Sequence, residues 1–221
     1  MADTATTTVL GLSREGIAAR IAQDLQDGWY VNLGIGIPLL IPPHLPEGVD
    51  VEMHSENGAL GLGPPPPEGE GEPDLTDAGK NFVTLRSGAS IFDSAMSFAI
   101  VRGGHLDLAV LGGLQVAGNG DLANWHVPGG SIGVGGAMDL VEGANRIWVA
   151  MEHVAKNGAS KLVESCTFDL TGRNVVDRLY TNLGVFDFDP VLTLIETAPG
   201  VTAEDVIART ATELKIGPGV S

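Results

Sequence analysis

The spacing of apolar residues near the N-terminus predicts an amphipathic helix. Ile17, Ile21 and Leu25 recur every four residues between residues 13 and 27, and Gly28 follows as a stop signal. One face of this segment is therefore apolar enough to pack on a core.

Short apolar runs separated by glycine-rich segments predict that strands and helices alternate along the rest of the chain. The predicted strands are residues 29–33, 49–53, 82–85, 106–111, 146–151, 161–165, 175–180, 183–186 and 192–195. Further helices are predicted at residues 91–101, about 137–142 and 202–214. The C-terminal strands are close enough in sequence to include antiparallel neighbours. Together these elements predict one α/β domain over residues 1–221, with a mixed central sheet.

Residues 61–76 interrupt this alternation and are predicted to form a loop. The segment is rich in glycine, proline and glutamate and includes four consecutive prolines at 64–67, which neither helix nor sheet accommodates. Such a loop can act as a lid.

Glu56 is the leading candidate for covalent chemistry, because it lies just beyond the strand predicted at 49–53. Asn57 and Gly58 follow it and favour a turn. The turn can simply leave an exposed glutamate, or it can project a carboxylate into the crevice where α/β sheets bind ligands. Glutamate is ionised at neutral pH, so such a carboxylate can attack a thioester without a general base.

Two glycine clusters can supply the backbone amides that stabilise an oxyanion. Residues 133–136 contain Gly135 and Gly136 just before a predicted helix, and a second cluster holds Gly34 and Gly36. Either can also be an ordinary glycine turn. Neither is followed by the Gly-Lys-Ser/Thr of a phosphate-binding loop.

Other chemistries find less support in the residue pattern. The histidines are scattered without the spacing of a metal site, so we expect no metal, and no Gly-x-Ser-x-Gly elbow of a serine hydrolase occurs. Lys80 is either a surface lysine or a substrate contact. Cys166 is predicted to pack inside a strand.

The net charge of −16 disfavours nucleic acid and anionic membranes as partners. It also disfavours any anionic substrate at long range, so positive charge is expected to come from a local site or from a second chain. A single cysteine fits the cytoplasm. No apolar run long enough for a membrane span and no signal-peptide pattern is found.

Seven segments in order make the chain resemble the B subunits of the 3-oxoacid CoA-transferases, the class I CoA transferases. They are VNLGIGIP at 31–38, SENG at 55–58, DAGK at 77–80, RGGHLD at 102–107, GDLANW at 120–125, GGAMDL at 135–140 and APGVT at 198–202. The resemblance covers nearly the whole chain. It implies an open α/β domain of the CoA transferase type, whose mixed, largely parallel sheet is flanked by helices.

The resemblance also implies a ping-pong reaction in which Glu56 attacks an acyl-CoA and becomes a glutamyl-CoA thioester. CoA is then both substrate and covalent intermediate, with no permanently bound cofactor and no metal. Amides of Gly135 and Gly136 would form the oxyanion hole. Substrate or CoA contacts would come from Asn32, Gly34, Gly36, Asn57, Gly58 and Lys80. A homologous CoA-transferase A subunit would complete the site in an A₂B₂ heterotetramer.

The substrate implied by the resemblance is less sharply defined than the reaction. Residues 152–158 resemble the succinyl-CoA:acetoacetate branch and residues 124–126 the 3-oxoadipate branch, and we favour acetoacetate. His54 stands where similar proteins often carry Gln. A non-catalytic ligand sensor or a sugar-phosphate isomerase on a related fold is the rival from another class, and neither needs a nucleophilic glutamate.

Overall fold

A computed structural model describes residues 10–127, 129–130 and 133–220. In chain order, its α-helices are α1 (Arg14–Ala22), α2 (Ser94–Arg102), α3 (Ala137–Gly143) and α4 (Ala203–Ile207). Its strands are β1 (Tyr30–Leu33), β2 (Glu52–Ser55), β3 (Ala59–Leu62), β4 (Leu85–Ile91), β5 (Leu108–Gly112), β6 (Gln115–Ala117), β7 (Leu122–Ala123), β8 (Ile147–Met151), β9 (Leu162–Val163), β10 (Arg178–Thr181), β11 (Gly184–Asp187), β12 (Thr193–Thr197) and β13 (Lys215–Ile216).

Most strands belong to one mixed sheet, in the order β13-β12-β11-β10-β8-β5-β1-β2-β3-β4. Its centre, from β10 to β2, is parallel throughout. Antiparallel hairpins extend it on both sides, β3 and β4 beyond β2, and β11 and β12 beyond β10. Strands β7, β6 and β9 form a small second sheet. The predicted mixed α/β fold is therefore confirmed, including its antiparallel neighbours.

The central strands bury both of their faces, as expected of parallel strands covered by helices. Along β5, Leu108 and Val110 pack with α1, whereas Ala109 and Leu111 belong to the core on the side of α2 and α3. The same alternation on β1 directs Val31 and Leu33 towards α1. Asn32 therefore points to the opposite side, towards α2 and α3.

The helix boundaries follow from local hydrogen bonds. Ser13 caps α1 by accepting a hydrogen bond from the Gly16 amide, and the helix ends at Ala22, before the predicted end at residue 27. Asp93 caps α2 in the same way through the Met96 amide, so this helix begins after residue 91, which belongs to β4.

Several boundary predictions were wrong for identifiable reasons. Residues 61 and 62, predicted as loop, complete β3, whose hairpin with β4 was not foreseen. Phe82 makes only an isolated bridge with Thr76, and the strand begins at Leu85. Helix α4 ends at Ile207 because Ala211 is drawn into a bridge with Val163. Among the described residues, no helix is both long and apolar enough to cross a membrane.

His153 is a buried histidine remote from Glu56 and gives the fold a pH dependence. Its Nδ1 lies 3.1 Å from Thr181 Oγ1 and its Nε2 3.0 Å from Thr210 Oγ1. Burial, aided by Arg209 and Lys161, lowers its pKa from 6.5 to about 4. The unfolded chain therefore takes up a proton from pH 6.5 downwards, whereas the folded chain does so only near pH 4.

We therefore predict that His153→Gln removes part of the acid sensitivity of the fold. In the wild type, the contribution of neutral His153 to the free energy of unfolding is fully present above pH 6.5 and is lost as the pH falls towards 4. The loss is on the order of 3 kcal/mol. Urea unfolding of both proteins at pH 7.5 and at pH 4.5 should show their stability difference shrinking at the lower pH. An unchanged difference would contradict the assignment.

Candidate active site

Glu56 lies at one end of the central sheet, directly after β2. Strands β1 and β2 are parallel, and their register places Asn32 beside His54. The next residues turn sharply into β3, closed by a hydrogen bond of 3.0 Å from the Gly58 amide to the Ser55 carbonyl. Gly58 has a φ of +120°, and a Cβ there would collide with the Phe92 carbonyl oxygen. The turn that presents Glu56 thus requires glycine at 58.

The Glu56 carboxylate is partly buried and is held by Asn32. Nδ2 of Asn32 donates to Oε2 of Glu56 at 3.1 Å, and Asn32 itself is fully buried. Among the described residues, no hydrogen bond involves Oε1 of Glu56. One oxygen is therefore fixed while the other is available to react.

Two further side chains lie behind this pair, on the same face of the sheet. His54 Nδ1 lies 3.1 Å from Asn32 Nδ2, and His54 Nε2 lies 3.0 Å from Ser97 Oγ on α2. Burial lowers the pKa of His54 below 6.5, although the negative charge of Glu56 opposes the shift. His54 is therefore neutral at physiological pH.

Gly136, the residue that precedes α3, lies next to the Glu56 side chain. A Cβ added at Gly136 would lie 3.4 Å from Cγ of Glu56 and 3.0 Å from the ring of Phe98. Among the described residues, no hydrogen bond from the Gly135 or Gly136 amide is found. An ion pair of 2.7 Å between Arg102 and Asp139 joins α2 to α3 and supports this approach. Glycine at 136 thus leaves room for the Phe98 ring beside the Glu56 side chain.

The other predicted contact residues differ in how close they come to Glu56. The Gly34 amide donates to the Val110 carbonyl at 2.8 Å and so is already used within the sheet. Gly36 is exposed, with a φ of +99°. Asn57 donates to the Thr76 carbonyl at 2.8 Å, which ties the turn to the segment that leads to Lys80. Their contacts with substrate remain predictions.

A large apolar cleft of about 1290 Å³ opens under the proline-rich loop. Its walls include Leu33, Met53, His54, Ser55, Lys80 and the four prolines at 64–67, but not Glu56. Leu33, Met53 and Ser55 alternate with Asn32 and His54 along β1 and β2, so most of this wall belongs to the face of the sheet opposite Asn32, and His54 borders the cleft as well. The Glu56 carboxylate is not part of the cleft wall, whereas Lys80 is.

Other reactive groups are poorly placed for chemistry. Burial raises the pKa of the Cys166 thiol to about 11, so that the sulfur is protonated and a poor nucleophile. Within the described ranges, no group of three or more His, Cys, Asp or Glu side chains could hold a metal ion. The arrangement around Glu56 is suited to nucleophilic attack by a carboxylate on an acyl group.

Comparison with known proteins identifies the family. The family model described as Coenzyme A transferase matches residues 14–209. The chain belongs to the coenzyme A transferase family.

Two similar CoA transferase chains carry different substrate names. The B subunit of the probable succinyl-CoA:3-ketoacid coenzyme A transferase of Bacillus subtilis is 51% identical over 210 residues, 94% of this chain and 97% of the relative. The B subunit of the 3-oxoadipate CoA-transferase of Pseudomonas putida is 54% identical over 181 residues, 81% and 84% of the two chains.

The fold is likewise that of a solved CoA transferase. An acyl-CoA transferase from Escherichia coli O157:H7 superposes with a TM-score of 0.74 at 22% identity, covering 95% of this chain. This chain spans 42% of that longer protein.

Ser97 and Phe98 are the residues around Glu56 that the residue pattern did not reveal. Ser97 is a small polar residue in an otherwise apolar helix, and a serine at such a position seldom indicates a function. The sequence places His54 where similar proteins often carry Gln, and a buried histidine needs a polar partner. The sequence does not show which helix provides that partner.

The approach of Gly136 predicts that even a methyl group there slows the reaction of this CoA transferase. In Gly136→Ala the new Cβ would lie 3.0 Å from the Phe98 ring, so the ring must shift by a few tenths of an ångström beside Glu56, and we expect a loss of about fivefold in rate. Steady-state kinetics of the assembled enzyme should show the loss in kcat.

Gly133→Ala is the matched control, because a Cβ at Gly133 meets no atom of the described residues within 4 Å. It should keep nearly the wild-type rate. Equal rates for the two variants would argue against a crowded approach of Gly136 to Glu56.

Proposed function

We propose that this chain is the B subunit of a CoA transferase that moves CoA from succinyl-CoA to a 3-oxoacid such as acetoacetate. The observation that carries the proposal is the Glu56 carboxylate, with Oε2 bound by Asn32, Oε1 unbound among the described residues and Gly136 against its side chain. A glutamate that served only as a turn residue would need neither a buried amide as hydrogen-bond donor nor a glycine packed against its side chain.

The reaction proceeds in two covalent half-reactions through Glu56. Oε1 attacks the thioester carbonyl carbon of succinyl-CoA, the C–S bond breaks, and a mixed anhydride and free CoA thiolate result. The thiolate then attacks Cδ of Glu56 and expels succinate, which leaves a glutamyl-CoA thioester. CoA thus serves as substrate and as covalent intermediate, and no metal or other cofactor is required.

The second half-reaction reverses these steps with the 3-oxoacid. Its carboxylate attacks the glutamyl thioester and releases CoA thiolate, forming a second anhydride. The thiolate attacks the 3-oxoacyl carbon of that anhydride, which yields 3-oxoacyl-CoA and restores the Glu56 carboxylate. Each tetrahedral state carries an oxyanion beside Glu56, and the Gly135 and Gly136 amides are the donors proposed to meet it.

A partner chain, the A subunit, is part of the proposal because exposed apolar side chains are close in sequence to the residues that contact Glu56 or its turn. Ile35, Ile91, Met96 and Met138 are 67%, 68%, 55% and 40% exposed, and each lies within three residues of a group that contacts Glu56 or its turn. The Bacillus subtilis and Pseudomonas putida relatives are both named as B subunits. We propose that the A subunit covers this surface in an A₂B₂ assembly and supplies positive charge for CoA, in the cytoplasm.

The second candidate substrate is 3-oxoadipate, which the Pseudomonas putida relative favours. Its additional carboxylate needs a cation near the site. Arg86 is already paired with Asp50 at 2.6 Å, and Lys80 lies in the cleft on the other face of the sheet. Acetoacetate has no additional carboxylate, whereas succinyl-CoA carries one in either reaction. Acetoacetate remains our first choice because residues 152–158 resemble the succinyl-CoA:acetoacetate branch.

We predict that Glu56→Gln abolishes both transfer and the covalent CoA adduct. The amide side chain can still accept a hydrogen bond from Asn32, so the fold is kept, but it is a far weaker nucleophile than a carboxylate. Mass spectrometry of the assembled enzyme after incubation with succinyl-CoA, with hydroxylamine as a trap, measures the adduct.

Glu52→Gln provides a control on the same strand. Glu52 lies 3.9 Å from Arg86 and is 40% exposed, so its loss should leave the adduct intact. Normal adduct formation by Glu56→Gln, or an adduct at another residue, would refute the proposed role.

The substrate proposal predicts that acetoacetate has a higher kcat/KM than 3-oxoadipate with succinyl-CoA as donor. Competition between the two acceptors on the enzyme assembled with its A subunit measures this ratio directly. A preference for 3-oxoadipate would move the assignment to the second candidate and leave the glutamyl mechanism untouched.

A further inference from the structure

A continuous line of buried polar groups runs from the Glu56 carboxylate to α2. Asn32 Nδ2 contacts Glu56 Oε2 and His54 Nδ1, both at 3.1 Å, and lies 3.3 Å from the His54 carbonyl. His54 Nε2 then contacts Ser97 Oγ at 3.0 Å, and Ser97 Oγ lies 3.3 Å from the Ser55 carbonyl. Asn32, His54 and Ser97 are at most 3% exposed.

The contacts in this line fit one arrangement of protons, in which the two N–H groups of Asn32 Nδ2 are shared among three acceptors. The Glu56 carboxylate and the His54 carbonyl can only accept, so the Asn32 amide must turn its NH₂ group towards them. His54 Nδ1 faces the same NH₂ group and must therefore be an unprotonated acceptor. The imidazole proton is then on Nε2 and is donated to Ser97 Oγ, which donates its own proton to the Ser55 carbonyl.

The orientation of the Asn32 side-chain amide is determined by the acceptors around Nδ2, because Oδ1 makes no hydrogen bond within the described part of the chain that could hold it. Asn32 Oδ1 is buried and has no hydrogen-bond partner among the described residues. If the amide were rotated by 180°, Nδ2 would occupy the present site of Oδ1 and would find no acceptor there within the described ranges. Oδ1 would then face the three acceptors that Nδ2 now contacts, and these contacts would be repulsive. The imidazole Nδ1 is one of these three, so His54 helps to decide which way Asn32 points.

We propose that His54, anchored by Ser97, is a positioning residue that holds the Asn32 amide on Glu56 Oε2, so that Oε1 is directed at the acyl group. This role rests on the proposed function of Glu56. His54 touches neither substrate nor CoA in this role and acts entirely through Asn32. Burial keeps the imidazole neutral, as the acceptor role requires.

The test combines two His54 variants with different acceptors. His54→Phe keeps a flat ring but has no acceptor for Asn32, whereas His54→Asn offers an oxygen close to the position of Nδ1. We expect His54→Phe to slow formation of the Glu56–CoA adduct by about 10²-fold, as misplacement of a reacting group does. His54→Asn should recover at least about tenfold of that loss, and the KM for succinyl-CoA should change little in both.

A double-mutant cycle with Asn32 separates positioning from a merely structural effect. Because His54 acts through Asn32, His54→Phe should cause no additional slowing in an Asn32→Ala background. Independent, multiplicative losses would overturn the proposal. Equal rates for His54→Phe and His54→Asn would also overturn it.

Ser97→Ala and His153→Gln complete the design. Ser97→Ala frees His54 Nε2, so adduct formation should slow by more than about threefold, and a wild-type rate would overturn the anchoring role even if His54→Phe does not fold. His153 has the same kind of hydroxyl contacts but lies away from Glu56, so His153→Gln should lower stability and keep the adduct rate.

If the wild-type enzyme forms no adduct, the proposed function fails; if it forms one and His54→Phe forms it equally fast, only the positioning role fails.

Discussion

The hydrogen bond from Asn32 to Glu56 is the interaction on which the rest of the site depends. It exists because β1 and β2 are parallel and in register, which places residues 32 and 54 side by side and residue 56 just beyond the strand end. The bond occupies one carboxylate oxygen and orients the other. Among the described residues, the Glu56 carboxylate is thus a partly buried charge held by one neutral amide.

The Glu56 carboxylate lies apart from a large apolar cleft that borders the same strands. Alternation along β1 and β2 directs Asn32 and His54 towards α2 and α3, where Asn32 meets Glu56, and directs Leu33, Met53 and Ser55 to the other face. The cleft under the proline-rich loop therefore touches this group only at His54 and does not include Glu56. Exposed apolar side chains at positions 35, 91, 96 and 138 are close in sequence to the residues around Glu56, which is the reason for proposing that a second chain completes the site.

Much of this arrangement could be predicted from the sequence, because it depends on local patterns. The alternation of strands and helices and the position of Glu56 after a strand follow from apolar runs and turn residues, whereas the largely parallel sheet and the closeness of Gly136 to Glu56 were implied by the family resemblance. The β3–β4 hairpin was missed because most of β4 is exposed and β3 is a short strand that leads directly into the proline-rich segment. Ser97 was missed because its meaning comes from His54, which is 43 residues away in the chain and 3.0 Å away in space.

The central claim is that Glu56 exchanges its own oxygen with the substrates. An acceptor 3-oxoacid labelled with oxygen-18 in its carboxylate tests this directly, with the label followed by mass spectrometry in the protein and in the released succinate. We expect the label to enter the Glu56 side chain and, in later turnovers, succinate. Transfer of CoA with no label in either would contradict the claim, because every oxygen exchanged between acceptor and donor must pass through this carboxylate.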